Sequence, residues 1–262
     1  MRRLDPPAVP QLAVPVAVPT HMAQQAYKTS CPQLQACGDL ALIAFYYLLR
    51  VGEYTKPKMA TINGQRVRAT RTIQFRVKDI GFFKDGKILP RNSPLNILET
   101  ADQCTLKISN QKNGRMGETI THETIANNDH GPVKACARRI AHILTNGGTG
   151  DSLLCDVFTH EHEWKPITPN DMRTGIRTAV RTLKLNENGL DPDLIGVHSL
   201  RAGGAMALKL QGVSDTIIKK QGRWTSMTFL QYIHNQIAHL TKDLSSKMSI
   251  NLTFQNIAAI EQ

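Results

Sequence analysis

The order of its periodicities constrains this chain more than any other feature. From residue 70 to 125 polar and apolar residues alternate, as in RTIQFRVKDIGFFKDGKILP, with Asp85-Gly86 as a turn signal. TLKISNQKNGRMGETITHE reads as a hairpin with strands at about 104–110 and 117–121, joined by the tip Lys112-Asn113-Gly114-Arg115. On either side the period is helical. Leu34, Cys37, Leu40, Ala41, Ala44 and Leu48 recur at three- and four-residue steps between Cys31 and Leu49, and Arg50-Val51-Gly52-Glu53 ends that run. After Asn128 come a helix opened by Pro132 and stopped by Gly147-Gly148, one from Thr168 to about Leu185, one at about 198–211 closed by Gly212, and a short one at 215–221 capped by Ser214. A helical stretch from Thr225 follows. These elements predict an α+β fold, mainly helical, with a small antiparallel sheet.

The 262 residues suffice for one sizeable core. No stretch reaches the roughly 20 apolar residues of a membrane span, and Leu40–Leu49 reads as a buried helix. Lysine and arginine number 32 against 21 acids, a net +11, which points to a polyanionic partner, nucleic acid before an acidic membrane. The five cysteines are odd in number and lack a CxxC pair, which argues against a disulfide framework and a cysteine-rich zinc site and favours the reducing cytoplasm or nucleus. Residues 1–30 are punctuated by prolines. That excludes the apolar helix of a secretory signal and predicts an extended or disordered leader.

Breaking a phosphodiester without metal requires a nucleophile, cations on the non-bridging oxygens and a proton donor for the leaving hydroxyl. Arginine serves the second need, because its planar fork stays charged and binds phosphate through two hydrogen bonds. The C-terminal third holds His198-Ser199-Leu200-Arg201, then Gly212-Val213-Ser214, Gly222-Arg223-Trp224-Thr225 and Tyr232-Ile233. His198 and Arg201, three apart at a helix start, share one face.

This run resembles the tyrosine recombinase (phage integrase) family, and the Cre-type pattern in particular. The resemblance covers about 40 residues without a gap until just after Trp224. It implies a DNA breaking-and-rejoining catalytic domain at residues 31–245 and a tail at 246–262 that docks on a neighbouring protomer. It makes Tyr232 the nucleophile, Arg201 the second catalytic arginine and His198 the histidine beside it, with Trp224 where many relatives carry a second histidine. The step from Trp224 to Tyr232 is one residue shorter than in the Cre-type pattern, so counting back from the tyrosine puts Arg223 there instead. Arg50-Val51-Gly52-Glu53 fits the family's earlier R-x-[GS]-E, with Arg50 catalytic and Glu53 supporting. Lys112, on the hairpin, fits the general acid, ahead of Lys107. Double-stranded DNA and a tetramer on two DNA sites are implied, and no metal, nucleotide or membrane. The family's separate helical clamp domain has no counterpart in the proline-rich leader.

Taken singly, each residue has a plainer reading: Tyr232 a half-buried aromatic, Arg50 a helix-end cation, His198 a cap, Lys112 a solvated turn lysine, Trp224 core. Their order carries the weight. Arg173, Arg177 and Arg181 recur at four-residue steps and form a stripe suited to a DNA backbone. Arg66, Arg68, Arg71, Arg76, Lys78, Arg138 and Arg139 add to the basic surface. Two other readings stand beside the enzyme: a DNA-binding remnant of a mobile-element recombinase, and a metal-dependent hydrolase on His160 and His162. For the second, i, i+2 spacing serves poorly outside a strand.

Overall fold

The computed structural model describes residues 11–57, 59–62, 65–68, 72–108, 117–224, 226 and 230. The fold is mixed, with helices predominating and small antiparallel sheets. Helix α1 (Ala17–Ala26) lies against α2 (Pro32–Tyr46), and a short α3 (Val51–Tyr54) follows. Strands β1 (Met59–Ile62) and β2 (Gln65–Arg68) pair as a hairpin. Next come β3 (Ile80–Lys84), β4 (Lys87–Leu89), α4 (Leu95–Leu98), β5 (Gln103–Lys107) and β6 (Thr119–Glu123). These four strands form one antiparallel sheet in the order β4-β3-β5-β6. The second half holds α5 (Pro132–Thr145), the ribbon of β7 (Asp156–Phe158) and β8 (Trp164–Pro166), α6 (Pro169–Thr182), α7 (Ser199–Leu210) and α8 (Asp215–Gly222). No described helix is long and apolar enough to cross a membrane.

Helix α2 is the centre of the core. Every residue from Ala36 to Phe45 is buried, as expected of a helix that is apolar nearly all round. Gly38 lets α1 approach, since a Cβ there would lie 2.7 Å from Ala23 Cα. The hairpin signals hold: Asp85 (φ 49) and Gly86 (φ 72) make the turn between β3 and β4, and Leu106 pairs with Ile120 across β5 and β6. Lys112, which the sequence pattern puts on this hairpin, lies outside the described residues. So do Arg71, Tyr232, the tail at 246–262 and the first ten residues of the leader.

Three expectations need correction. The leader is not extended throughout, because Ala17–Ala26 is a helix whose Val18, Met22, Ala23 and Ala26 are buried. Its prolines fall before the helix and at Pro19, within the first turn, where the missing N–H would have no partner anyway. Arg50 does not merely end the preceding run. Its backbone N–H donates to Glu53 Oε2 at 2.7 Å, and that contact starts α3. Arg138 and Arg139 do not form a solvated basic face. Arg138 donates through Nε and Nη2 to Asp39 Oδ1 at 2.9 and 2.7 Å. Arg139, 2% exposed, donates to the Leu154 and Asp156 carbonyls and so ties α5 to β7.

Two adjacent glycines place α7. A Cβ on Gly203 would lie 2.0 Å from the Val14 carbonyl oxygen, and one on Gly204 2.3 Å from the Phe45 carbonyl oxygen. Helix α7 is therefore held between the segment before α1 on one side and α2 on the other. Gly204→Ala must push α7 off α2, and backbone cannot yield as a flexible side chain would. A loss of about 1–3 kcal/mol is expected, read as a fall in Tm of about 2–4 °C per kcal/mol at this size. An unchanged Tm would show that α7 does not need this close contact.

Candidate functional site

The end of α2 sets up the site. Leu48 takes a left-handed conformation (φ 49), and the Leu49 N–H donates to the Ala44 carbonyl at 3.0 Å, closing the helix as a glycine commonly would. The turn leaves the Leu48 carbonyl free of helical bonding. It accepts from Arg201 Nη1 at 2.8 Å and from Arg223 Nη2 at 3.2 Å. Arg223 is itself left-handed (φ 59), at the end of α8. Two strained non-glycine residues thus meet at one point, as is common where geometry serves function.

The Glu53 carboxylate sits at the centre. Arg223 grips it with both terminal nitrogens, Nη1 to Oε1 at 3.1 Å and Nη2 to Oε2 at 3.0 Å, and both side chains are buried. Arg50 Nη1 reaches Glu53 Oε1 at 3.4 Å, and Arg50 Nη2 reaches the Arg223 carbonyl at 3.4 Å. Arg201 donates also to the Gly222 carbonyl, and its guanidinium carbon lies 4.3 Å from the centre of the Trp224 ring. Gly222 is required by that indole, since a Cβ there would fall 1.6 Å from a ring carbon.

His198 is the residue just before α7, at the solvent edge of this cluster. Partial burial holds its imidazole below the ordinary pKa, and the Arg201 and Arg50 guanidiniums push it further the same way. The ring is therefore biased toward its neutral form, able to donate or accept one hydrogen bond.

The hairpin is tied to the same place. His122 on β6 is 2.9 Å from the Gln221 side chain of α8 and packs edge-on against Tyr47, with ring centres 4.6 Å apart. Tyr47 Oη donates to the Cys104 carbonyl on β5 at 2.9 Å. The strands flanking residues 109–116 are thereby anchored to the end of α2 and to α8, the two elements that lead into Arg50 and Arg223.

Arg50, Glu53, His198, Arg201, Arg223 and Trp224 are thus gathered in one place from distant parts of the chain, while Lys112 and Tyr232 lie outside the described residues. Arg173 and Arg181 are exposed on α6. Arg177 between them is engaged internally, donating to the Ile195 carbonyl at 2.9 Å and the Asp193 carbonyl at 3.1 Å. Arg76 and Lys78 both pair with Asp151. His160 is 2.6 Å from the Ser30 carbonyl, and His162, at φ 57, packs on Phe158. Among the described residues, no three His, Cys, Asp or Glu side chains converge as a metal site. Sequence reasoning missed Leu48, whose contribution is a backbone carbonyl, and Gln11, whose side chain accepts from the His198 N–H at 3.1 Å. No family model matches the chain, and no curated protein matches it either.

Proposed function

We propose that this chain is the catalytic domain of a tyrosine recombinase, an intracellular enzyme that cuts and rejoins double-stranded DNA through a 3′-phosphotyrosine link. Tyr232 Oη, its proton having passed to solvent, attacks the scissile phosphorus, and the bond to the 5′-oxygen breaks. The leaving oxygen takes its proton from Lys112. Arg50, Arg201, His198 and Trp224 contact the non-bridging oxygens, where charge develops in the transition state. The link stores the bond energy, so rejoining needs neither nucleotide nor metal. Two DNA sites held by a tetramer complete an exchange, and Arg173 and Arg181 lie on the DNA backbone.

The observation that carries this reading is the convergence of Arg50 and Arg201 on the chain segment at residues 222–224, which includes Trp224, with His198 within the field of both guanidiniums. Three guanidiniums gather around the Glu53 carboxylate and the Leu48 carbonyl, a concentration of positive charge that favours a bound phosphate.

The test is a duplex carrying a nick beside the cleavage position, so that the released strand diffuses away. The protein should form an adduct with DNA that survives denaturation, and Tyr232→Phe should form none. An adduct that persists in Tyr232→Phe would overturn the nucleophile assignment. Duplex binding that weakens steeply with salt but yields no adduct would identify the DNA-binding remnant instead.

A further inference from the structure

We propose that Gln11 is a positioning residue for His198, and that the segment at residues 11–14 is part of the arginine–histidine site rather than a leader to it. The proposal rests on reading that cluster as a phosphate site, and it concerns a stretch whose sequence is too proline-interrupted to suggest any such part.

The segment crosses the start of α7 as a strap. Leu12 N–H donates to the Leu194 carbonyl at 3.0 Å and Val14 N–H to the Ser199 carbonyl at 3.3 Å. Between those two bonds lies the turn that carries His198. Gln11 Oε1 accepts from the His198 backbone N–H at 3.1 Å. That N–H lies at the opening of α7, where helical backbone donors have no partner within the helix.

The turn is shaped to receive this side chain. A Cβ on Gly196 would lie 2.5 Å from both terminal atoms of the Gln11 amide. The other side of the turn is fixed independently: Tyr54 Oη donates to the Val197 carbonyl at 3.2 Å, and Ser199 Oγ accepts from the Gly196 N–H at 3.0 Å. Gln11 therefore closes the one face of the turn that α3 does not hold. It does so at the residue whose ring must meet a phosphate oxygen. A displacement of about 1 Å in such a group reduces rate by about 100-fold.

The strap itself does not depend on Gln11. Val14 is 1% exposed and Ala13 5%, and the two backbone bonds remain when the side chain is cut. Gln11→Ala should consequently fold with nearly unchanged Tm. A second variant reaches the same contact from the opposite side. Gly196→Ala places a methyl group against the Gln11 amide, and that flexible end must swing away.

The experiment measures the His198 imidazole titration by NMR in full-length wild type and both variants, together with the single-turnover cleavage rate on nicked duplex. In both variants the His198 pKa should rise toward the ordinary histidine value as the ring gains solvent and leaves the guanidiniums. The cleavage rate at saturating DNA should fall about tenfold or more, with the DNA concentration for half-maximal rate changed less than about twofold. A His198 titration and rate that stay at wild-type values in Gln11→Ala overturn the proposal while leaving the cluster's function intact. If the wild type forms no adduct, the phosphate-site reading fails instead, and the NMR titration still decides whether Gln11 holds His198.

Discussion

Arg223→Met should destabilise the protein by about 3 kcal/mol, the lower end for removing one partner of a buried ion pair. Arg223 and Glu53 have side-chain exposures of 1% and 5%, and the two nitrogens of Arg223 that face Glu53 make its closest side-chain contacts. Without Arg223 the carboxylate still accepts from the Arg50 backbone N–H at 2.7 Å and from Arg50 Nη1 at 3.4 Å, the latter on a side chain 23% exposed. Those residual contacts place the loss near the bottom of the range. At this chain size the Tm should fall by roughly 10 °C. Pairing Arg223→Met with Glu53→Gln removes the stranded charge and should recover a good part of the loss, so the two effects should be strongly non-additive. Denaturant unfolding of the two single variants and the double supplies the cycle. Additive losses would mean that the pair is not the joint between α3 and the end of α8.

The chemistry of Arg223 follows from the same contacts. Counting back from Tyr232 makes it a candidate to touch phosphate. Its two terminal nitrogens are instead paired with the charged Glu53 carboxylate, whereas those of Arg201 rest on the neutral Leu48 and Gly222 carbonyls. Trp224 is only half-buried and lies under Arg201, so it has the freer approach to a ligand.

Asp39→Ala is expected to cost about 3–4 kcal/mol, again because an ion pair with a buried carboxylate is broken from one side. Asp39 is 1% exposed. It accepts from Arg138 Nε and Nη2 and, through Oδ2, from Tyr27 Oη at 2.6 Å. The Arg138 guanidinium also lies over the Tyr27 ring, 4.9 Å from its centre. Burial pushes the Asp39 carboxyl above its ordinary pKa, and Arg138 followed by the Tyr27 hydroxyl pulls it back. One carboxylate therefore joins α1, α2 and α5. Tyr27→Phe offers the contrast. Tyr27 is 41% exposed, its loss leaves Asp39 with Arg138, and about 0.5–1.5 kcal/mol should go. Thermal unfolding of the two variants side by side decides. Equal losses would place the stabilisation in the tyrosine hydrogen bond rather than the ion pair. Neither change touches the arginine cluster, so on the proposed function the folded fraction of each should form the DNA adduct at the wild-type rate.

Much of the local architecture is legible in the residues because its causes are local. Pro132 opens α5, Thr168 caps α6 through the Asp171 N–H, Ser214 caps α8, and Gly212 at φ 77 follows α7. Each of these effects acts within a few residues, so spacing is enough to find it. The alternation from 70 to 125 likewise announces strands, since side chains on a strand face opposite ways at every step. Arg138 and Arg139 fail this kind of reading. A charged residue is taken as solvated unless a partner is known, and theirs are Asp39 and the Leu154 and Asp156 carbonyls, on α2 and near β7. The helix at Ala17–Ala26 was hidden for the same reason. Its own propensity is weak, and its burial against α2 through Gly38 supplies what prolines at either side deny.

For the candidate site the division is sharp. The chain by itself determined which residue types are present and in what order: Arg50 after an apolar helix, His198 and Arg201 at a helix start, Trp224 after a short helix, and a hairpin between the arginines. Only the tertiary structure decided how they meet. Arg201 and Arg223 share the carbonyl of Leu48, the Glu53 carboxylate binds the Arg223 guanidinium more closely than that of its neighbour Arg50, and a segment read as a leader holds the turn that carries His198. The physical reason is that order and period are written in short-range preferences. The meeting of guanidinium, carboxylate and carbonyl depends on close packing, here of α7 between Val14 and Phe45, that no single stretch of sequence contains.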